Sequence, residues 1–171
     1  SFGSGLQDGY LIRTNSSGDT LWTRAYGNTG TDEFKTLQET SDGGFVLLGW
    51  NSSGILIIKT DQNGDTLWTK MYGGTSGCVG YGISETSDGG YIIAGETNAF
   101  GAGNYDIYVI RTDALGDTLW TRAYGGIKAD KGRSVYQVAD GGFIVTGQTE
   151  SHLGFGADFF AMKINSSGTI M

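Results

Sequence analysis

The chain has 171 residues, among them 31 glycines, one cysteine and no proline, with a formal net charge of −7 and an isoelectric point near 4.5. That acidity excludes docking on nucleic acid or an anionic membrane surface through a basic patch, and the lone Cys78 excludes an intrachain disulfide. No apolar run approaches the ~20 residues that insert across a membrane as a helix.

The first strand-like run is Tyr10–Thr14, which the turn Asn15-Ser16-Ser17-Gly18 joins to a second run, Thr20–Tyr26. An Asx side chain caps such a turn, and glycine takes its left-handed position. Asp42-Gly43-Gly44 then leads into Phe45-Val46-Leu47-Leu48, and Asn51-Ser52-Ser53-Gly54 joins that run to Ile55-Leu56-Ile57-Ile58. These two runs are apolar throughout, so both of their faces need cover. After Asp61-Gln62-Asn63-Gly64 the chain enters another run marked by Leu67-Trp68. Asp88-Gly89-Gly90, Tyr91-Ile92-Ile93-Ala94, Ile107–Arg111, the turn Asp113–Gly116 and Asp117–Tyr124 follow in the same order. In the last unit Arg133–Val138 alternates polar and apolar, the mark of a half-buried strand. Asp140-Gly141-Gly142, Phe143–Gly147 and Phe159–Ile164 complete it.

These elements are one unit written repeatedly. Gly-Asp-Thr-Leu-Trp begins at Gly18, Gly64 and Gly116, and Asp-Gly-Gly begins at Asp42, Asp88 and Asp140. Both phrases advance by 46 and then 52 residues, and the interval between them stays at 24. A period of roughly 40–50 residues marks a propeller, solenoid or array. Alternation of period two, turns every 8–12 residues and glycine well above its ordinary ~7 % point to strands rather than helices. With the four runs of a unit lettered A to D, the expected fold is all-β: a β-propeller-type array of four-stranded antiparallel blades. It comprises about three blade equivalents, incomplete at both ends. Residues 1–27 supply strands C and D of a partial blade, 28–73 and 74–125 a blade each, and 126–171 a partial blade lacking strand D.

The phrases at Asp88–Thr97, Phe100–Gly103, Asp106–Asp113 and Gly116–Thr121 resemble the tandem β-propeller repeat of large secreted bacterial and archaeal surface proteins. The resemblance covers essentially the whole chain. It implies a propeller-type fold and an extracellular or cell-surface location, and no defined activity. The C–D turn with its following tryptophan also resembles the Asp-box of sialidase-type propellers. Asp113 and Gly116 are three apart rather than two, and no sialidase function is carried over.

Candidate ligand positions are few. Asp61, Asn63 and Asp65 fit the opening of a calcium loop, but a hairpin turn explains them as well. No other cofactor is implied. The loop Phe100-Gly101-Ala102-Gly103-Asn104-Tyr105-Asp106 parallels Phe2–Asp8 and, more loosely, His152–Asp158. Phe100, Asn104, Asp106 and Asp158 are therefore candidate contacts for a glycan or a surface protein. Trp50 joins them, because its sister positions are Glu96 and Gln148 and an unrepeated tryptophan has no framework reason to be there. The strand D pairs Trp22 and Tyr26, Trp68 and Tyr72, and Trp120 and Tyr124 repeat, which suits packing between blades.

No catalytic motif stands out. His152 is the only histidine and has no cysteine or second histidine with which to make a zinc site. The expected function is that of a non-enzymatic extracellular structural or interaction protein. It assembles with itself into a ring or filament by completing partial blades between chains. Tyr10, Ile12, Trp22, Phe159, Phe160 and Met162 are the candidate assembly residues. The alternative is a glycan- or protein-binding module of a larger secreted propeller. On either reading His152→Ala leaves binding and assembly intact. A hydrolase activity abolished by that substitution would overturn the non-enzymatic reading.

Overall fold

The computed structural model describes residues 5–74, 77–151 and 156–171. Thirteen strands and no helix are found among them. The first sheet is a hairpin of β1 (Gly9–Thr14) and β2 (Thr20–Tyr26). A four-stranded sheet follows in the order β3 (Glu33–Glu39), β4 (Phe45–Asn51), β5 (Gly54–Thr60) and β6 (Thr66–Tyr72). The next four-stranded sheet holds β7 (Cys78–Glu85), β8 (Tyr91–Thr97), β9 (Asp106–Thr112) and β10 (Thr118–Tyr124). A three-stranded sheet of β11 (Asp130–Gln137), β12 (Phe143–Thr149) and β13 (Asp158–Ile164) closes the series. Every strand pairs antiparallel with its sequence neighbour inside its sheet. The molecule is an all-β, propeller-like array.

Turn chemistry makes each meander. In the turns before β4, β8 and β12 the middle glycines Gly43, Gly89 and Gly141 take φ of 79°, 80° and 81°, where a side chain is strained. Asp42 closes its turn by accepting hydrogen bonds from the Gly44 N–H at 2.9 Å and the Thr40 hydroxyl at 2.6 Å. In the turns before β2, β6 and β10 the Asx residue does the same work. Asn15 Oδ1 accepts the Ser17 and Asp19 N–H groups, and Asp113 Oδ1 accepts those of Leu115 and Asp117.

The pleat then sorts the apolar runs onto two faces. In the second sheet Val46, Leu48, Ile55 and Ile57 turn one way, and Leu47, Leu56 and Ile58 turn the other. The first group packs on Tyr91, Ile93, Tyr108 and Ile110 of the third sheet. The second packs on Leu11 and Tyr26 of the first. The third sheet's opposite face, with Ile92, Ala94, Ile107 and Val109, meets Val135, Phe143, Val145 and Ile164 of the fourth. The sheets therefore stack face to face in chain order, and three apolar seams form the core.

Each seam repeats one aromatic contact. Trp22 meets Phe45, Trp68 meets Tyr91 and Trp120 meets Phe143 edge to face, at centroid distances of 5.9, 5.8 and 6.1 Å. Trp68 is partly buried and packs on the middle cluster. Trp68→Ala is expected to destabilise the chain by about 3 kcal/mol. Denaturant melts of the two proteins measure this, and a loss below about 1 kcal/mol would count against the stacked arrangement.

Candidate functional site

Beside each tryptophan contact lies a hydrogen-bonded latch. Tyr26 donates its hydroxyl to the Gly64 carbonyl at 2.7 Å, Tyr72 to Gly116 at 2.6 Å and Tyr124 to Gly168 at 2.5 Å. Each acceptor belongs to the C–D turn of the following sheet. Burial pushes the Tyr26 and Tyr124 hydroxyls up to about 12 and that of Tyr72 higher still, so all three stay protonated donors. The turn glycine is constrained twice. Gly64 sits at φ 78°, and a Cβ there would stand 2.9 Å from both the Trp22 ring and the Arg24 stem. Gly116 meets Trp68 and Lys70 in the same way.

Five of the seven repeated cations are ion-paired, and Arg13 instead donates to the Gln62 carbonyl at 2.7 Å. Lys59, Arg111 and Lys163 on the C strands bond Asp42, Asp88 and Asp140 of their own sheets, the first two at 2.8 and 2.6 Å. Arg24 and Lys70 on the D strands cross a seam to Asp65 and Asp117, at 3.1 and 2.6 Å. At the third seam the acceptor position is Thr169, and Arg122 keeps the contact over the Trp120 ring that Arg24 also makes over Trp22. These charges belong to the framework.

So does most of the candidate calcium loop. Asp61 Oδ1 accepts the Asn63 and Asp65 N–H groups at 2.8 and 2.9 Å, which lowers its pKa, and Asp65 is paired with Arg24. Among the described residues no three His, Cys, Asp or Glu side chains converge as a metal cage. In the B–C loop Asp106 is buried and its Oδ2 accepts the Gly103 N–H at 3.0 Å; Asp8 does the same for Gly5 at 3.1 Å. Phe100 stacks on Tyr108 at 5.5 Å, Asn104 is exposed, and Asp158 is exposed at the start of β13. Loop and strand end are further tied at Asp32, which accepts the Asn51 amide at 2.9 Å, and at Asp130, which accepts the Ser151 hydroxyl at 2.6 Å. Cys78 fills the same slot in the third sheet, 3.1 Å from the Thr97 hydroxyl. Thus Asp106 holds a loop together, whereas Phe100, Asn104 and Asp158 reach solvent to differing degrees. His152 and residues 2–4 lie outside the described residues.

The assembly candidates divide. Tyr10 and Ile12 lie on the outer face of the first sheet, 47 % and 50 % exposed, and Phe159 on the outer face of the fourth, 92 % exposed. Trp22, Phe160 and Met162 are turned inward, into the first and third seams.

The first strands β3, β7 and β11 each form one edge of their sheet, and β7 touches the other two across the stack; these inner strands hold what the sequence did not signal. Each carries a bulge at the same repeat position, where the pairing slips between Phe34 and Thr36, Gly80 and Gly82, and Gly132 and Ser134. The extra residues are Lys35, Tyr81 and Arg133, which do not repeat. Close by, Trp50 donates its indole N–H to Glu33 at 3.2 Å, and Lys35 pairs with that carboxylate at 2.5 Å, which holds it below its usual range. In the next sheet Tyr81 donates to Glu96 at 3.0 Å, and Lys131 pairs with Glu96 at 3.1 Å. Trp50 thus belongs to a polar, aromatic band. Comparing positions 35, 81 and 133 across the units shows their variation, but a bulge is invisible without the paired strand.

No family model and no curated protein matches this chain. The residue geometry alone defines its class: a stacked all-β repeat array with interlocked seams.

The hydrogen bond from Lys59 holds the Asp42 carboxyl at about 2. Because that lies below the unfolded value of ~3.9, its stabilising effect is complete above pH 4 and is lost as the pH falls through 2. Urea melts between pH 4 and 2 should therefore show a steeper loss for the parent chain than for Asp42→Asn. Equal slopes would remove Asp42 from the acid response.

Proposed function

We propose that this chain is a non-enzymatic, extracellular structural and interaction protein that joins a second copy of itself, end sheet against end sheet. One observation carries the reading. The outward residues of the first and fourth sheets occupy repeat positions that are buried wherever another sheet lies against the same face. Ile12 corresponds to Ile58, which is 5 % exposed in the first seam, and Phe159 to Ile107, which is 4 % exposed in the third. Tyr10 and Ile144 likewise correspond to the buried Leu56 and Ile92. Contiguous apolar faces of this kind favour association with a complementary face.

The two end faces differ, so the contact is heterologous. Such contacts give a ring if the rotation closes and a filament if it does not. The open edge of β13, where only the Ile164–Ile170 bridge and a hydrogen bond from Met171 to Lys163 stand in for a fourth strand, adds unpaired backbone groups to the same end. An extracellular setting comes from the repeat resemblance and agrees with the acidic composition. A second reading, a glycan- or protein-binding module, is favoured by the unrepeated side chains on the inner strands.

Light scattering on the chain at micromolar concentration tests the assembly. We expect concentration-dependent oligomers, and monomers when Phe159→Asp or Ile12→Asp places a charge on either end face. A parent chain that stays monomeric across that range would defeat the proposal.

A further inference from the structure

In three sheets built to one plan, the inner strands concentrate the departures from it. β7 lies between β3 and β11, so the three bulges are neighbours. A bulge leaves its extra residue outside the hydrogen-bonded ladder and re-aims the side chain. The framework is thereby indifferent to what Lys35, Tyr81 and Arg133 are. Where the strands meet, the Arg133 carbonyl lies so close to Gly82 that a Cβ there would be 2.8 Å away.

The chemistry of the band is specific. Its two carboxylates are already answered, Glu33 by Lys35 and Glu96 by Lys131. Arg133 is exposed, and its guanidinium lies 4.1 Å over the centre of the Tyr81 ring. Among the described residues it has no carboxylate partner, although the chain carries 18 acidic residues. Tyr81 is itself held by its bond to Glu96. The guanidinium is thus an exposed, planar fork of donors with one face fixed on the Tyr81 ring and a hydrogen bond to its hydroxyl, and its remaining donors suit a bidentate grip on a carboxylate. Trp50, one sheet from Tyr81 and two from Arg133, is fixed through Glu33 at the far end of the band.

We propose that this band binds a saccharide bearing a carboxylate. The proposal rests on the binding-module reading, and its site adjoins the outer face of the fourth sheet, since Arg133 and Phe159 line one pocket. Aromatic rings with a few fixed polar groups suit a sugar, which offers apolar C–H faces and equatorial hydroxyls, and Arg133 takes the acid. An extended peptide is disfavoured, because adding a strand requires an unbroken edge and all three inner strands are interrupted by a bulge. A densely charged polyanion is disfavoured by the net charge of −7.

Calorimetric titration of the full chain with a glucuronate-terminated oligosaccharide, and with its glucose-terminated counterpart, tests this. We expect the acidic sugar to bind and the neutral one to bind about tenfold more weakly. Arg133→Gln should cost the acidic sugar about tenfold and the neutral sugar little. Arg133→Lys keeps the charge but loses the fork and should weaken the acidic sugar similarly, which serves if the glutamine variant does not fold. Ile12→Asp, which acts on assembly at the first sheet, away from Arg133, should leave sugar binding unchanged. Failure of the acidic sugar to bind at millimolar concentration, equal affinity for the two sugars, or full affinity in the folded Arg133 variants would each overturn the proposal.

Discussion

The fold depends on one contact, made three times: a tryptophan and a tyrosine of one sheet gripping the C–D turn and leading B-strand ring of the next. The tryptophan supplies edge-to-face packing, and the tyrosine hydroxyl satisfies a turn carbonyl that the seam would otherwise leave buried and unpaired. The turn glycine permits both, since a side chain at Gly64 or Gly116 would strain the backbone and strike the indole. Sheets with apolar residues on both faces are unstable alone. The latch fixes how each meets the next, so the seam and the turn define each other.

Charge is handled within the same scheme. Lys59 and Arg111 are almost wholly buried yet paired with Asp42 and Asp88, whose carboxylates remain largely exposed. The cation's stem fills apolar space while its head reaches the sheet's own A–B turn. Removing one partner would leave a buried charge uncompensated, which costs far more than the pair contributes as a surface interaction. These pairs tie turn to strand within a sheet, whereas Arg24–Asp65 and Lys70–Asp117 tie sheet to sheet.

The proposed assembly surface comprises the outward faces of the first and fourth sheets. The proposed saccharide site lies on β3, β7 and β11, where the bulge frees single positions from the repeat plan, and it adjoins the fourth sheet's outward face where Arg133 and Phe159 line one pocket. Substitutions can therefore accumulate at positions 35, 81 and 133 without disturbing seams. This is the physical reason a repeat protein can vary its ligand while keeping its framework.

The sequence by itself determined the all-β class, the number of units and the turn positions. Those follow from local rules: period-two patterning, Asx caps, and glycine where φ is positive. It also marked Trp68 and Tyr72 for a seam, because residues that repeat in every unit answer a demand that repeats. Which face each side chain takes was decided only in three dimensions. Ile12 and Trp22 both lie in the first sheet, yet the pleat turns one outward and the other into a seam. Phe159 and Phe160 are adjacent and opposite for the same reason. The latch carbonyls, the paired cations and the bulges were likewise beyond the sequence, since each joins residues 12 to 47 positions apart. Their geometry exists only once strands have paired and sheets have stacked.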